Sequence, residues 1–75
     1  MDVKARQNAI AEGYFLGSQL RMLGATDVEW QASAEIWCDG PRGRYRGDAL
    51  RPYFAKGLEA GFRNMALPQT AALEH

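Results

Sequence analysis

Glycine recurs at four-residue spacing in two stretches of the chain that otherwise have a helix-forming composition. The pattern Ala-x-Gly-x-x-x-Gly covers residues 11–17 and again residues 55–61. A glycine inside a helix costs roughly 1 kcal/mol relative to alanine, so four of them need a compensating role. Residues four apart share one helix face, and a face of glycines lets another backbone approach closely. The repeat therefore predicts a tight helix–helix crossing.

The leading interpretation of the repeat is an antiparallel crossing of two helices inside one subunit, and a crossing between two subunits is the alternative. A membrane-embedded glycine dimer is disfavoured, because charged residues flank and interrupt both copies. No apolar run approaches the roughly 18 residues that a membrane span needs. Because 75 residues are barely enough for one core, a homodimer that buries more apolar surface stays open.

Two segments have the apolar periodicity of long helices. Small and apolar residues at three- and four-residue steps predict a helix over residues 3–23, with Asp2 as its N-cap and Gly24 just past its end. A second helix is predicted from residue 49 or 51 to residue 65, because Pro52 suits a first helical turn. Pro68 is expected to stop it.

The segment over residues 26–38 fits two structures. Thr26 and Glu29 have the spacing of a capping box, which predicts a short helix over residues 27–38. The same residues also alternate between apolar and polar, as a strand would. Helix is favoured, because a lone strand has no evident partner in this chain. The fold prediction is therefore all-α, with two long helices packed through their Gly-xxx-Gly faces plus a short third helix.

One domain is expected over residues 1–67, followed by a frayed tail over residues 68–75. The last three residues, 73–75, resemble the remnant of an expression tag, and they contain the only histidine. Cys38 is the only cysteine, which excludes an intrachain disulfide and suits a reducing, cytoplasmic location. With no histidine beside that thiol and no metal-ligand spacing, we expect no enzyme activity, no metal and no cofactor.

Charge is distributed unevenly along the chain. Residues 1–39 hold three cationic and six acidic side chains, whereas residues 40–63 hold six cationic and two acidic ones. The basic part includes a glycine-rich loop, residues 39–48, in which Arg42, Arg44, Tyr45 and Arg46 follow one another closely. Arginine binds phosphate through two parallel hydrogen bonds, and tyrosine offers a face on which a base can stack. The loop predicts contact with RNA, unless its arginines pair with the acidic segment.

Trp30 and Trp37 are seven residues apart and would share one face of the predicted short helix. Core packing is the default for large aromatic side chains in a small protein. A tryptophan that stays partly exposed would instead mark a protein interface. Both residues are therefore candidates for a partner surface as well as for the core.

The glycine motifs resemble those of ribosome modulation factor and its relatives, which are very small two-helix bacterial proteins. The Gly-Tyr-x-x-Gly of that family is matched by residues 13–17, and its aromatic-x-x-Gly-apolar pattern by residues 54–58. Arg51 stands where the family often has a basic residue. The family joins its helices by a short Cys-Pro-Tyr segment, whereas about 28 residues intervene here. The resemblance implies an α-helical fold that binds the ribosome.

Two functions follow as expectations. The first is a non-enzymatic module that contacts RNA or the ribosome through the arginine loop and Arg51. The second is a protein-binding modulator of the kind that phages and plasmids encode, dimeric and acting through the two tryptophans and the acidic segment.

Overall fold

The computed structural model describes residues 3–39 and 50–69, with side chains described over 3–36 and 50–69. This part of the chain contains three α-helices and no strand: α1 (Val3–Met22), α2 (Asp27–Asp39) and α3 (Arg51–Phe62). The all-α prediction is confirmed, and the strand alternative for residues 26–38 is wrong. α2, at 13 residues, is slightly longer than α3, at 12.

Local sequence signals set the first two helix boundaries. α1 ends in a Schellman motif, in which Gly24 has a φ of 77° and the Ala25 N–H donates to the Leu20 carbonyl at 3.0 Å. The predicted capping box opens α2. The Thr26 N–H donates to the Glu29 carboxylate at 2.8 Å, and the Glu29 N–H donates to the Thr26 hydroxyl oxygen at 3.2 Å.

α3 ends three residues earlier than predicted. Asn64 has a φ of 57°, and the Met65 N–H donates to the Ala60 carbonyl at 2.9 Å. This is a second Schellman motif, with asparagine in the left-handed position that glycine usually takes. The turn ends the helix at Phe62, before Pro68 can have any effect.

α1 and α3 cross through all four repeat glycines. A Cβ atom on Gly13 or Gly17 would collide with the main chain of α3, at the carbonyl groups of Phe54 and Leu58 respectively. A Cβ atom on Gly57 or Gly61 would collide with α1 in the same way, at the carbonyls of its residues 10 and 14. The Cα hydrogens that replace these side chains point at carbonyl oxygens, a geometry that supports weak C–H···O contacts. The crossing is a contact between two backbones.

The two helices run parallel, so the antiparallel prediction is wrong. Moving from Gly13 to Gly17 along α1 moves the contact from Phe54 to Leu58, in the forward direction of α3. The two motifs therefore meet in register, with Gly13 beside Gly57. A parallel crossing is available because α1 and α3 are not consecutive helices: α2 lies between them in the chain.

A small core packs around this crossing. Its largest fully buried side chains are Phe54, Ile10 and Leu58. α2 covers the core with Trp30, whose ring centroid lies 5.9 Å from that of Phe62. This packing places α2 as a cover over the α1–α3 pair.

The chain after α3 folds back along α1. The Tyr14 hydroxyl donates to the Met65 carbonyl, and the Gln7 amide donates to the Pro68 carbonyl at 3.2 Å. Because Gln7 precedes Tyr14 by two helical turns, the segment runs toward the start of α1. The predicted domain boundary at residue 67 stays a prediction, although this hydrogen bond reaches Pro68.

Candidate nucleic-acid interface

The parallel crossing brings the first turns of α1 and α3 to the same end of the molecule. This basic end, as we call it, carries Lys4 and Arg6 from α1 and Arg51 from α3. The Arg6 guanidinium carbon lies 5.8 Å from the centroid of the Tyr53 ring, within cation–π range, and this contact joins the two helix starts. The side chains of Lys4 and Arg51 are exposed.

Helix polarity adds positive potential to the basic end. The start of an α-helix carries a partial positive charge, and acidic residues in the first turn usually compensate it. The described first turns of α1 and α3 contain no acidic residue. Leu50, the N-cap residue of α3, makes no side-chain capping hydrogen bond. Cations and helix starts of the same sign therefore lie together, and such an arrangement attracts anions.

Of the predicted RNA-binding residues, only Arg51 lies in the described part of the chain. It is exposed at the first position of α3. Arg42, Arg44, Tyr45 and Arg46 lie outside the described residues, so their part of the prediction stays a prediction. In sequence they precede Arg51 by five to nine residues.

Trp30 is part of the core. Its side chain is 7% exposed, and its indole N–H donates to the Asp27 carboxylate at 3.0 Å. The ring is therefore packed inside the subunit, and its N–H has a hydrogen-bond partner there. Trp30 therefore packs in the core, and its predicted part in a protein interface stays a prediction. The side chain of Trp37 lies outside the described set.

Sequence reasoning missed Lys4 and Arg6 as members of the basic end. In the antiparallel crossing that was expected, these residues would lie at the opposite end from Arg51. The absence of acidic residues after position 2 in the first turn of α1 was a usable signal, since helices usually favour acidic residues there. That signal points to a shared basic end only once the two helices are known to run parallel.

The described chain also exposes large apolar side chains on α1 and α2. Phe15, Met22 and Leu23 belong to α1 and the turn after it, and Val28 and Ile36 belong to α2. Within residues 3–39 and 50–69, no group of three or more histidine, cysteine or acidic side chains could hold a metal ion. None of the helices described combines the length and the apolar character that crossing a membrane requires.

Comparisons with protein-family models, with curated proteins and with solved structures give no significant match to this chain. The likeness to ribosome modulation factor therefore stays an interpretation of the two glycine motifs. The candidate sites in the described chain are the basic end and the exposed helix faces.

Proposed function

We propose that the protein is a non-enzymatic module that contacts RNA through its basic end, with Arg42, Arg44, Tyr45 and Arg46 extending the surface that Arg51 begins. The observation that carries this proposal is the parallel crossing, which collects two helix starts and the cations Lys4, Arg6 and Arg51 at one end. Arginine forks and helix starts both bind phosphate oxygens. The ribosome is the RNA assembly that the family resemblance suggests.

A modest, salt-sensitive affinity is expected from this number of cations. Each phosphate contact releases condensed counterions, so the affinity falls as salt rises, by slightly less than one logarithmic unit per contact and per decade of salt. Two positive helix ends would contact phosphates, and Tyr45 would stack on a base. Neither contact distinguishes one base sequence from another. We expect preference for structured RNA with an exposed loop over fully paired RNA.

Fluorescence anisotropy with a labelled RNA hairpin at about 50 mM salt would test the proposal. We expect binding that weakens steeply by about 200 mM salt, and a salt slope that falls by roughly two to three units in the R42A/R44A/R46A variant. A matched control, R21A/K56A/R63A, removes the same charge from α1, from α3 and from the residue after α3, outside the first turns of both helices. No binding at low salt, or equal losses in the two triple variants, would contradict the proposal.

The ribosomal part has its own experiment. Sedimentation of the protein with purified ribosomes through sucrose, at low and at physiological salt, separates a ribosome ligand from a general RNA binder. Co-sedimentation that the R42A/R44A/R46A variant loses supports ribosome contact. Hairpin binding without co-sedimentation would restrict the function to other RNA.

The protein-binding modulator remains the second candidate function. The exposed apolar side chains of α1 and α2 favour it, since such side chains mark contact surfaces when they cluster. Its predicted use of Trp30 is not supported, because that residue is buried. A homodimer built on the α1 face is one form of this function, and analytical ultracentrifugation across a hundredfold concentration range would detect it.

A further inference from the structure

The outer face of α2 has a ridge of apolar side chains. Val28, Ala32 and Ile36 follow one another at four-residue steps, and all three are exposed, Val28 by 75% and Ile36 by 66%. Trp30, on the opposite side of the helix, is the residue that packs into the core. α2 thus uses one face to cover its own subunit and presents a second apolar face outward.

Negative charge borders this ridge on both sides. At 100° per residue, Glu35 lies about 20° from Val28 around the helix axis, and Glu29 lies about 20° from Ile36 on the other flank. Both acidic side chains are exposed. The sequence of α2, DVEWQASAEIWCD, contains no lysine or arginine.

The rest of the described subunit does not neutralise this face. Glu35 has no ion pair among the described side chains of residues 3–36 and 50–69, and the Glu59–Arg63 pair, at 3.4 Å, lies at the end of α3. Glu29 accepts a hydrogen bond from the Thr26 main chain rather than from a cation. Within the described part of the chain, the α2 face therefore combines exposed apolar surface with negative charge that no cation neutralises.

We propose that this face binds a cationic amphipathic helix of a partner protein. An apolar row on such a helix would pack against Val28, Ala32 and Ile36, while its lysines or arginines would reach Glu29 and Glu35. Ridges along four-residue rows interdigitate when two helices cross at about −50°. The outer face of a second copy's α2 would set carboxylates against carboxylates, and nucleic acid would be repelled, so charge selects the cationic partner. The proposal is independent of RNA contact at the basic end.

The probe for the first experiment is a fluorescein-labelled 18-residue helix of leucine and lysine, with leucine confined to one face. Anisotropy titration of the full chain should give saturable micromolar binding. A scrambled peptide of the same composition should bind at least tenfold more weakly, because it cannot present an apolar row. Equal binding of the two peptides would show that net charge alone drives the interaction, and it would overturn the proposal.

Matched variants then locate the site. Val28→Gln with Ile36→Gln should weaken peptide binding at least tenfold, and Glu29→Gln with Glu35→Gln should weaken it and flatten its salt dependence. Phe15→Gln with Met22→Gln removes comparable exposed apolar surface from α1 and should change the affinity by less than twofold. Circular dichroism at the assay temperature verifies that each variant is folded.

Three further results would overturn the proposal. The first is an equal loss of binding in the α1 variant and the α2 apolar variant. The second is a homodimer of the unliganded chain that Val28→Gln with Ile36→Gln dissociates, since a second copy would then occupy the face. The third is loss of peptide binding in the R42A/R44A/R46A variant, measured without RNA, since the peptide would then bind at the arginine loop rather than on α2. Loss of hairpin binding alone would contradict only the RNA proposal.

Discussion

The α1–α3 crossing and the attachment of α2 hold the molecule together in different ways. At the crossing, glycine faces bring main chain against main chain, and no side chain can be added without moving a helix. α2 is attached through side chains, chiefly Trp30 with the half-buried Ala34, and much of its surface stays exposed. Larger side chains at the crossing should therefore destabilise the fold, whereas the attachment of α2 should be weakened by smaller side chains in its packed face.

This difference assigns separate tasks to the two regions. The crossing fixes the positions of the two helix starts and so builds the basic end. α2 contributes Trp30 to the core and leaves an apolar, acidic face outward. A change at the crossing should disturb the whole fold, and a change in α2 should first disturb its own packing.

Adding a methyl group at the crossing should give the largest effect. Gly13→Ala and Gly57→Ala each place a Cβ inside the contact distance of a main-chain carbonyl that cannot rotate away, so each should cost more than the range typical of overpacking, about 1–3 kcal/mol. The gain in helix propensity, roughly 1 kcal/mol, offsets only part of it. A 75-residue domain has roughly 4–11 kcal/mol of total stability, so the double variant should lose its cooperative thermal transition.

Ala11→Gly is the matched control, because it reverses the substitution at an exposed position of the same helix. It should cost roughly 1 kcal/mol through propensity alone. Urea unfolding followed by circular dichroism compares the three variants. A Gly13→Ala protein more stable than the parent would show that the crossing has room for a side chain.

Removing the tryptophan of α2 should give the next largest effect. Trp30→Ala deletes a buried side chain, a change that costs about 3–5 kcal/mol in well-packed cores. Amide hydrogen exchange should show α2 losing protection before α1 and α3 do. Val28→Ala, at an exposed site of the same helix, should stay within about 0.5 kcal/mol of the parent. Simultaneous loss of protection in all three helices would mean that α2 and the crossing form one cooperative unit.

A smaller effect is expected at the turn between α1 and α2. Gly24→Ala forces a side chain into the left-handed region, which costs about 1–2 kcal/mol, although the space around it is open. Asn64→Gly, at the corresponding turn after α3, should be nearly neutral because asparagine already tolerates that conformation. Thermal denaturation of both variants tests the contrast, and equal shifts would contradict it.

The smallest effect concerns the capping box and depends on pH. Hydrogen bonds from the Thr26 main chain and hydroxyl hold the pKa of Glu29 below its ordinary value of 4.5. The stabilisation is therefore complete above pH 4.5 and is lost as the pH falls through the lower folded-state pKa. Urea midpoints between pH 2 and pH 7 should converge for the parent and Glu29→Gln at the acidic end. If the difference in urea midpoint between the two proteins does not change with pH, ionisation of Glu29 does not contribute to stability.

The sequence was informative where a structure depends on adjacent residues. Thr26 and Glu29 predicted the start of α2, and Gly24 predicted the end of α1, because caps and left-handed turns are set within a few residues. The early end of α3 was missed, since asparagine in the left-handed position gives a weaker signal than glycine. The division of α2 into a buried Trp30 face and an exposed Val28 face required the packed structure.

The direction of the crossing could not be predicted from spacing. Glycines four apart make the same face whichever way the partner helix runs, so Gly13 and Gly17 are equally compatible with parallel and antiparallel packing. That ambiguity also hid the basic end, because Lys4 and Arg51 are 47 positions apart and meet only in the parallel arrangement. The predicted arginine-loop residues lie outside the described chain, so their role stays a sequence prediction.

The parallel register of α1 and α3 is the central claim, and distances between paired spin labels test it most directly. Cys38→Ser supplies the background, and cysteines are introduced in pairs at exposed positions: Lys4 with Arg51, Arg21 with Arg63, Lys4 with Arg63, and Arg21 with Arg51. At 1.5 Å per residue, the first two pairs should be shorter than the last two by about 10 Å or more in pulsed electron paramagnetic resonance. The reverse order would show that the helices cross antiparallel and would contradict the account.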